Sequence, residues 1–513
     1  MSSSATTGRT TGSRTLLVTA VGPPPRTSWS TPSPACGTAR WSRRRSPPRW
    51  TSPPSSSRSI TRSRSKPPSN RCARRRAVTA TTLAVDGGVP VLGQPTAYPW
   101  PKLRPAWCEA VNRQLASGQL SIYDRSGVVA AFEDAWSEGH SLPYSLVTNS
   151  GTAALHSAFY GIGLGPGDEV LCPTYTFFAT AVPLFQLGAL PVLVDCRPDG
   201  SFDTEAAAAL VTERTRALVV THMWGLPCEM DAVVSFASRH NLDLVEDCSH
   251  AHGATYAGQR VGTFGAAGAW SLQTQKLIAA GEGGVLATDR RDVYDRAQLL
   301  GHFNKRAMKE MDPDGPLYPY AATGHGLKYR AHPLGIAFAL GQVAELTDWI
   351  SAKQRYARCL TELFERIDGV TALTHSRDGR VSAHYALLFE VDPDVLSGGR
   401  DWLVAACNAE GLDDVDVPKA TSPLHTLHLF QAPISPVTSY DRRCLRADYP
   451  VADRLAARTF KISVPCAPVG FEDEDERYLG AVQEVTDKIV GWLAEPRTRR
   501  PDARLAPSGQ VVG

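Results

Sequence analysis

Asp247 and Lys276 are the two residues around which a chemistry can be built. Asp247 closes the apolar run LDLVED, which reads as a buried parallel strand delivering an acid at its carboxyl end. Lys276 follows downstream in a short turn, just ahead of Gly281, Gly283 and Gly284. An acid at a strand end and a lysine before a glycine-rich strand meet the needs of pyridoxal phosphate (PLP). Its aldehyde takes an amine to form a Schiff base, and its pyridine nitrogen needs a carboxylate to hold a proton. Taken singly, Asp247 also reads as a loop cap and Lys276 as one more solvated lysine, and the bland reading is then the better one.

Two further strings could serve such a cofactor. SLVTNSGTAALHSAFYGIGL reads as a strand ending at Asn149 and a helix opening at Ser150, Gly151 and Thr152. Small and hydroxylated residues at a helix start leave backbone N–H groups facing outward, which suits a phosphate as well as a plain N-cap. Phe177 reads either as core or as an aromatic lid over a ring. His425 and His428 stand three residues apart, but no third ligand has usable spacing, so no metal is expected.

Positioning these groups requires a sheet. From residue 169 the chain alternates strand-like runs (EVLCP, LPVLVD, RALVVTH, LDLVED) with helical ones (TYTFFATAVPLFQLG, TEAAAALV, MDAVVSFASRH). That alternation predicts an α/β fold with a mostly parallel sheet flanked by helices. Ligands then collect beyond the carboxyl ends of the strands. The rim would carry Asn149 to Thr152, Thr174 to Phe177, His222, Trp224, and Asp247 to His252. The stretch from Gly301 to Pro333 is polar and reads as a long functional loop. One long helix is expected from about Leu334 to Tyr356, then a smaller α+β part ending in a helix over residues 473–493.

Composition bounds the rest. Residues 1–76 hold fifteen Arg, one Lys and no acid, so the net charge of +3, less this +16, leaves −13 on the remainder. With no periodicity and few aliphatic residues, residues 1–77 are expected to be a disordered basic extension. A nucleic-acid arm and a targeting segment are alternatives. A start site placed too far upstream is the preferred explanation. The division expected is therefore 1–77, a PLP-binding α/β domain over 78–350, a small domain over 351–495, and a disordered tail over 496–513. Eleven scattered cysteines without a CxxC pair suit reduced thiols in the cytoplasm. No run reaches the ~18 apolar residues of a membrane span, so neither membrane nor nucleic acid is an expected partner.

Read together, NSGTAAL, PTYTFFATAVP, LPVLVD, VEDCSHAHGA, the GTFG…SLQTQK…GEGG run, GLKYR and PLH resemble the DegT/DnrJ/EryC1/StrS family of PLP-dependent sugar aminotransferases. They fall in family order over roughly residues 82–490. The resemblance implies the fold-type I, aspartate aminotransferase-like architecture, with a seven-stranded type of sheet and a homodimer whose active site lies at the interface. It implies that Lys276 carries the Schiff base, that Asp247 pairs with the pyridinium nitrogen, and that Ser150, Gly151, Thr152 and Ser271 surround the phosphate. It also implies that Phe177 stacks on the ring and that His250 lies near the ring hydroxyl.

Some dehydratases of the family have His where Lys276 stands, so the lysine favours transamination. Where relatives often read Gly-Tyr-Asn-Tyr-Arg, this chain has Gly326, Leu327, Lys328, Tyr329 and Arg330. The relatives' Asn reaches the partner subunit's phosphate, and Lys328 would bring a positive charge there instead. The expected activity is transfer of an amino group from Glu or Gln to a nucleotide-linked keto-deoxysugar in secondary-metabolite or glycan synthesis. A keto-cyclitol acceptor such as an inosose stands second, and a PLP-dependent dehydratase or lyase third.

Overall fold

The computed structural model describes residues 82–419, 421–431, 444–466 and 472–495. The expectations for residues 1–77 and for the tail lie outside these residues. Seven strands form the main sheet: β1 (Tyr144–Thr148), β2 (Glu169–Pro173), β3 (Leu190–Val194), β4 (Thr215–Thr221), β5 (Asp243–Asp247), β6 (Ala267–Ser271) and β7 (Gly284–Thr288). Their order is β1-β7-β6-β5-β4-β2-β3. From β3 to β6 the pairing is parallel, and β7 runs antiparallel between β6 and β1. The fold class is thus α/β with a mostly parallel sheet.

Burial on both faces explains the apolar runs. In β4, Ala217 and Val219 point into one core cluster while Leu218 and Val220 point into another, as the two-residue repeat of a strand demands. Helices cover the sheet: α1 (Gly127–His140), α2 (Gly151–Gly161), α3 (Met230–Arg239) and α4 (Arg291–Gly301). In α3, Met230, Val233, Phe236 and Ala237 are buried, the i, i+3, i+6, i+7 stripe of a helix with one apolar face. Burial of Met230, Val233 and Phe236 contributes about 1.5–3 kcal/mol each.

A second sheet of three antiparallel strands follows: β8 (Val370–Ala372), β9 (Leu387–Val391) and β10 (Thr459–Ile462), in the order β8-β9-β10. Further helices include α5 (Pro333–Val343), α6 (Leu346–Phe364), α7 (Gly399–Ala409) and α8 (Glu472–Leu493). Leu360, Phe364, Phe389, Phe460, Val482 and Ile489 share one core with Leu83 and Tyr98. Glu410, fully buried, gathers this layer: it accepts Ala84 N–H at 2.8 Å, Val91 N–H at 2.9 Å and Lys488 Nζ at 2.8 Å.

Three expectations are corrected. The stretch from Thr174 is no continuous helix: a single 3-10 turn, Phe178–Thr180, precedes a short helix, Val182–Leu187. Pro183 is the reason, because proline is accommodated in the first turn of a helix and clashes further in. The single long helix from Leu334 is two, α5 and α6. In α5, Gln342 bonds both the N–H and the C=O of Ala279, at 2.9 and 2.8 Å, while α6 sends Tyr356, Leu360 and Phe364 into the second core. The axis must turn between them. Finally, the connection after Gly301 contains a helix, Lys305–Glu310. Ala307 and Met311 bury against Leu299 and Ala321, and Arg306 turns inward to Glu133 at 2.9 and 2.8 Å.

Candidate active site

One cavity of about 800 Å³ lies beyond the carboxyl ends of β4, β5 and β6. Its lining includes Ser150, Gly151, Thr152, Phe177, Asp247, His250, Ser271 and Lys276. Chain segments distant in sequence meet there for a local reason. Gly284, the first residue of β7, pairs with Thr148 on one side and Ser271 on the other. A Cβ on Gly284 would fall 2.3 Å from the Ser150 carbonyl oxygen, and one on Gly151 would fall 2.7 Å from Ser271 Cβ. Bare backbone at both positions lets the start of α2 and the end of β6 close on each other.

The phosphate-type cradle forms at that junction. Ser150 is the N-cap of α2, its Oγ accepting Ala153 N–H at 3.1 Å. The first N–H groups of the helix and the Thr152 side chain face the cavity, where an anion is favoured.

Asp247 is buried at the end of β5, with a donor on each oxygen. Thr180 Oγ1 donates to Oδ2 at 2.7 Å, and Ser249 N–H donates to Oδ1 at 3.0 Å. Behind the Thr180 hydroxyl stand Thr176 Oγ1 at 2.9 Å and Thr221 Oγ1 at 3.3 Å. These bonds fix the carboxylate's direction.

Lys276 sits in the turn after β6. Its carbonyl accepts Trp100 Nε1–H at 3.1 Å, and its Nζ stands 4.4 Å from the centre of the Tyr385 ring. Burial lowers its ammonium from 10.5 to about 8, with Asp247 opposing. A neutral amine is therefore available near neutrality, as a Schiff-base lysine requires.

His250 lies flat against Tyr385, ring centres 4.0 Å apart and planes at 10°. Burial, then Lys276 and His252, hold its imidazole well below the ordinary histidine range. Its Nδ1 is buried without a hydrogen-bond partner in the protein, a donor or acceptor left for a ligand. With this orphaned nitrogen, the cradle that a Cβ at Gly151 or Gly284 would fill and the desolvated amine, the residues fit PLP.

Not every rim residue expected from the sequence faces the cavity. His222 turns into the protein, between Glu246 Oε2 at 3.1 Å and the Cys228 N–H at 3.1 Å. Glu246 also accepts the N–H groups of Gly262, Phe264 and Gly265, so this buried cluster with Cys248 is saturated by the protein itself. Thr174 is engaged by His425 at 2.9 Å. Lys328 is exposed and outside the lining, but its carbonyl accepts Asn149 Nδ2–H at 3.3 Å, beside the cradle.

Several residues of the site were not anticipated: Thr180, which stands behind the lining on Asp247, and the lining residues Tyr385, Asp414, Asp416 and Lys461. Thr180 lies in the quoted PTYTFFATAVP string, where its hydroxyl was the available signal. Tyr385 precedes a strand and carries none.

The sheet order, with the site at its strand ends, defines a fold-type I transferase. The profile of the DegT/DnrJ/EryC1/StrS aminotransferase family matches residues 102–482, and the chain belongs to that family. It is an aminotransferase. A protein of Streptomyces kanamyceticus assigned as an L-glutamine:3-amino-2,3-dideoxy-scyllo-inosose aminotransferase is 32% identical over 425 residues, covering 80% of this chain and 98% of its own. The L-glutamine:scyllo-inosose aminotransferase of Streptomyces griseus is 33% identical over 329 residues, 62% of this chain and 76% of its own. The structure of DesI in the presence of its TDP-sugar product superposes with a TM-score of 0.64 at 27% identity, covering 80% of this chain and 97% of that one.

Proposed function

We propose that the protein binds PLP and transfers the amino group of L-glutamine to a keto carbon of a polyhydroxylated ring, a keto-cyclitol. The observation that carries the chemistry is Lys276, whose amine is brought to about 8 in the cavity that also holds Asp247. The acceptor follows the two scyllo-inosose relatives. A nucleotide-linked keto-deoxysugar, the first acceptor expected from the sequence, is the second reading and is favoured by the likeness to DesI.

Bound in the cavity, PLP supplies an aldehyde that carries the amino group and a ring that accepts electron density. The protein's part is positional and acid–base. Gly151, Thr152 and Ser271 would hold the phosphate, with Ser150 setting the helix start. Asp247 would keep a proton on the pyridine nitrogen, His250 would meet the ring hydroxyl through its orphaned Nδ1, and Phe177 would cover the ring. Lys276, as a neutral amine, would be the base that takes the proton from the donor's α-carbon.

The division into domains at residues 78–350 and 351–495 belongs to the same proposal, as does a homodimer in which Lys328 reaches the phosphate site of a second copy. The nine cysteines among the described residues are free, which suits a cytoplasmic setting. No helix of the described residues is long and apolar enough to cross a membrane.

The test is a two-stage assay on the PLP-loaded protein. L-Glutamine should bleach the cofactor's visible absorbance, and a keto-inosose should restore it with release of an aminocyclitol. Lys276→Ala should do neither. Restoration by a nucleotide-linked keto-sugar alone would select the second reading, and absence of bleaching with any amino donor would overturn both.

A further inference from the structure

A transaminase acting as proposed on a keto-cyclitol must admit two unlike molecules in turn: an amino acid with a negative carboxylate, and a hydroxylated ring without one. The cavity offers few cations for the first. Among its described lining residues there is no arginine, and the lysines are Lys276, Lys353, Lys419 and Lys461. Lys276 serves the cofactor. Lys353 is buried, with Nζ donating to the carbonyls of His384 at 2.9 Å and Val464 at 2.7 Å, so it braces the wall. Lys419 is exposed in a turn. Lys461 is different, because it lies in β10 with its backbone paired on both sides.

One of those sides is Asp416. Asp416 N–H donates to the Lys461 carbonyl at 3.0 Å, and Lys461 N–H donates to that of Asp416 at 2.8 Å. Such a reciprocal pair sets the two side chains opposite each other on one face. Lys461 Nζ stands 3.7 Å from Asp416 Oδ2, while Oδ1 accepts Val417 N–H at 2.7 Å. The ion pair is loose and partly solvated, the side chains being 30% and 46% exposed, so the two ends separate at little cost. Nearby, Asp414 is tied down by Tyr478 at 2.6 Å and Ser463 at 3.0 Å. Asp414 is therefore held by two side-chain hydroxyls, whereas Asp416 keeps one oxygen on a backbone N–H and has only the loose Lys461 contact on the other.

We propose that Lys461 and Asp416 form a substrate-exchanged ion pair that gives the site its two specificities. When the amino acid enters, its carboxylate replaces Asp416 on Lys461. When the uncharged ring enters, Lys461 returns to Asp416, whose remaining lone pairs accept ring hydroxyls. This rests on the proposed function, in that it assumes an amino acid donor and a neutral polyhydroxylated acceptor.

The experiment measures the two stages separately on the PLP-loaded protein. It adds the equilibrium binding of α-methyl-L-glutamine, which lacks the α-proton and binds without turnover. Lys461→Ala should raise the dissociation constants of L-glutamine and of its α-methyl analogue by about tenfold or more, and the acceptor's constant by distinctly less. Lys461→Arg should restore most of the donor binding. Glutamine α-amide, which has no carboxylate, should be bound equally by Lys461→Ala and the parent. Asp416→Asn should weaken the acceptor several-fold and leave the donor as tight or tighter.

Equal weakening of donor and acceptor by Lys461→Ala, or no change in either, would overturn the ion-pair exchange. So would an unaltered preference for glutamine over its α-amide. Failure of the parent protein to react with any amino donor would instead overturn the proposed function on which the exchange stands.

Discussion

Gly151 and Ser271 approach so closely that a Cβ on the glycine would lie 2.7 Å from the serine Cβ and 2.9 Å from its Cα. The phosphate-type cradle is therefore a place where two backbones touch, and its shape depends on a missing side chain. Gly151→Ala should push α2 off β6, costing about 1–3 kcal/mol as overpacking does and weakening PLP retention. Thermal unfolding of the cofactor-free protein and equilibrium dialysis of PLP read the two effects separately. Gly284→Ala, aimed at a carbonyl 2.3 Å away, should be the worse of the pair.

The carboxylate of Asp247 and the hydroxyl of Thr180 form a graded test of the acid's role. Asp247→Asn removes the charge that would hold a proton on the pyridine nitrogen and should lower turnover by about 100-fold or more. Thr180→Val removes one hydrogen bond to a charged group, about 1.5–3 kcal/mol, and should cost less turnover than Asp247→Asn. Steady-state rates of the two variants at saturating substrates check the order. An inverted order would remove Asp247 from the chemistry.

Lys276 should leave a signature in pH. Because burial brings its ammonium from 10.5 to about 8, the rate of PLP uptake by cofactor-free protein should rise through about pH 8 and then level. An unperturbed lysine would keep gaining toward 10.5. The same depression has a stability consequence. Between these values the unfolded chain binds the proton and the folded one does not, so this group makes stability rise with pH across that window. Denaturant titrations of the parent and Lys276→Met at both ends of the window isolate the contribution.

Arg306 and Glu133 are both buried, joined by two bonds of 2.9 and 2.8 Å, and Glu133 also accepts Val147 N–H at 2.9 Å. Removing the arginine leaves that buried carboxylate with only the Val147 N–H and Arg125 Nε–H, the latter at 3.1 Å, so Arg306→Ala should cost about 1–3 kcal/mol in a urea titration. Arg306→Lys should recover only part of it, because an ammonium cannot make the paired contact.

The strands of the main sheet were legible because burial on both faces writes uninterrupted Val, Leu and Ala, and EVLCP appears in the structure with the same ends. The start of α2 was legible through Ser150, and its relation to Ser271 only through the resemblance. The wall of Asp416 and Lys461 was not legible, since its members meet only through a bridge between backbones 45 positions apart in the numbering. Nor was Tyr385, whose place against His250 and Lys276 depends on His384 taking a φ of +45°, a conformation that a histidine side chain does not announce. The helix at Lys305–Glu310 was hidden by its charges, because its inward residues are Arg306 and Ala307 rather than a run of apolar ones.

Glu410 ties Ala84 and Val91, near the beginning of the described chain, to Lys488, near its end. A ribosome makes these partners in strict sequence, so the segment around Ala84 emerges long before Glu410, and Lys488 comes last. Contacts of such separation are slow to form, and the main sheet can assemble while the opening segment waits. The final layer closes only when synthesis of α8 is complete, so until then the apolar faces that Val482 and Ile489 cover stay open.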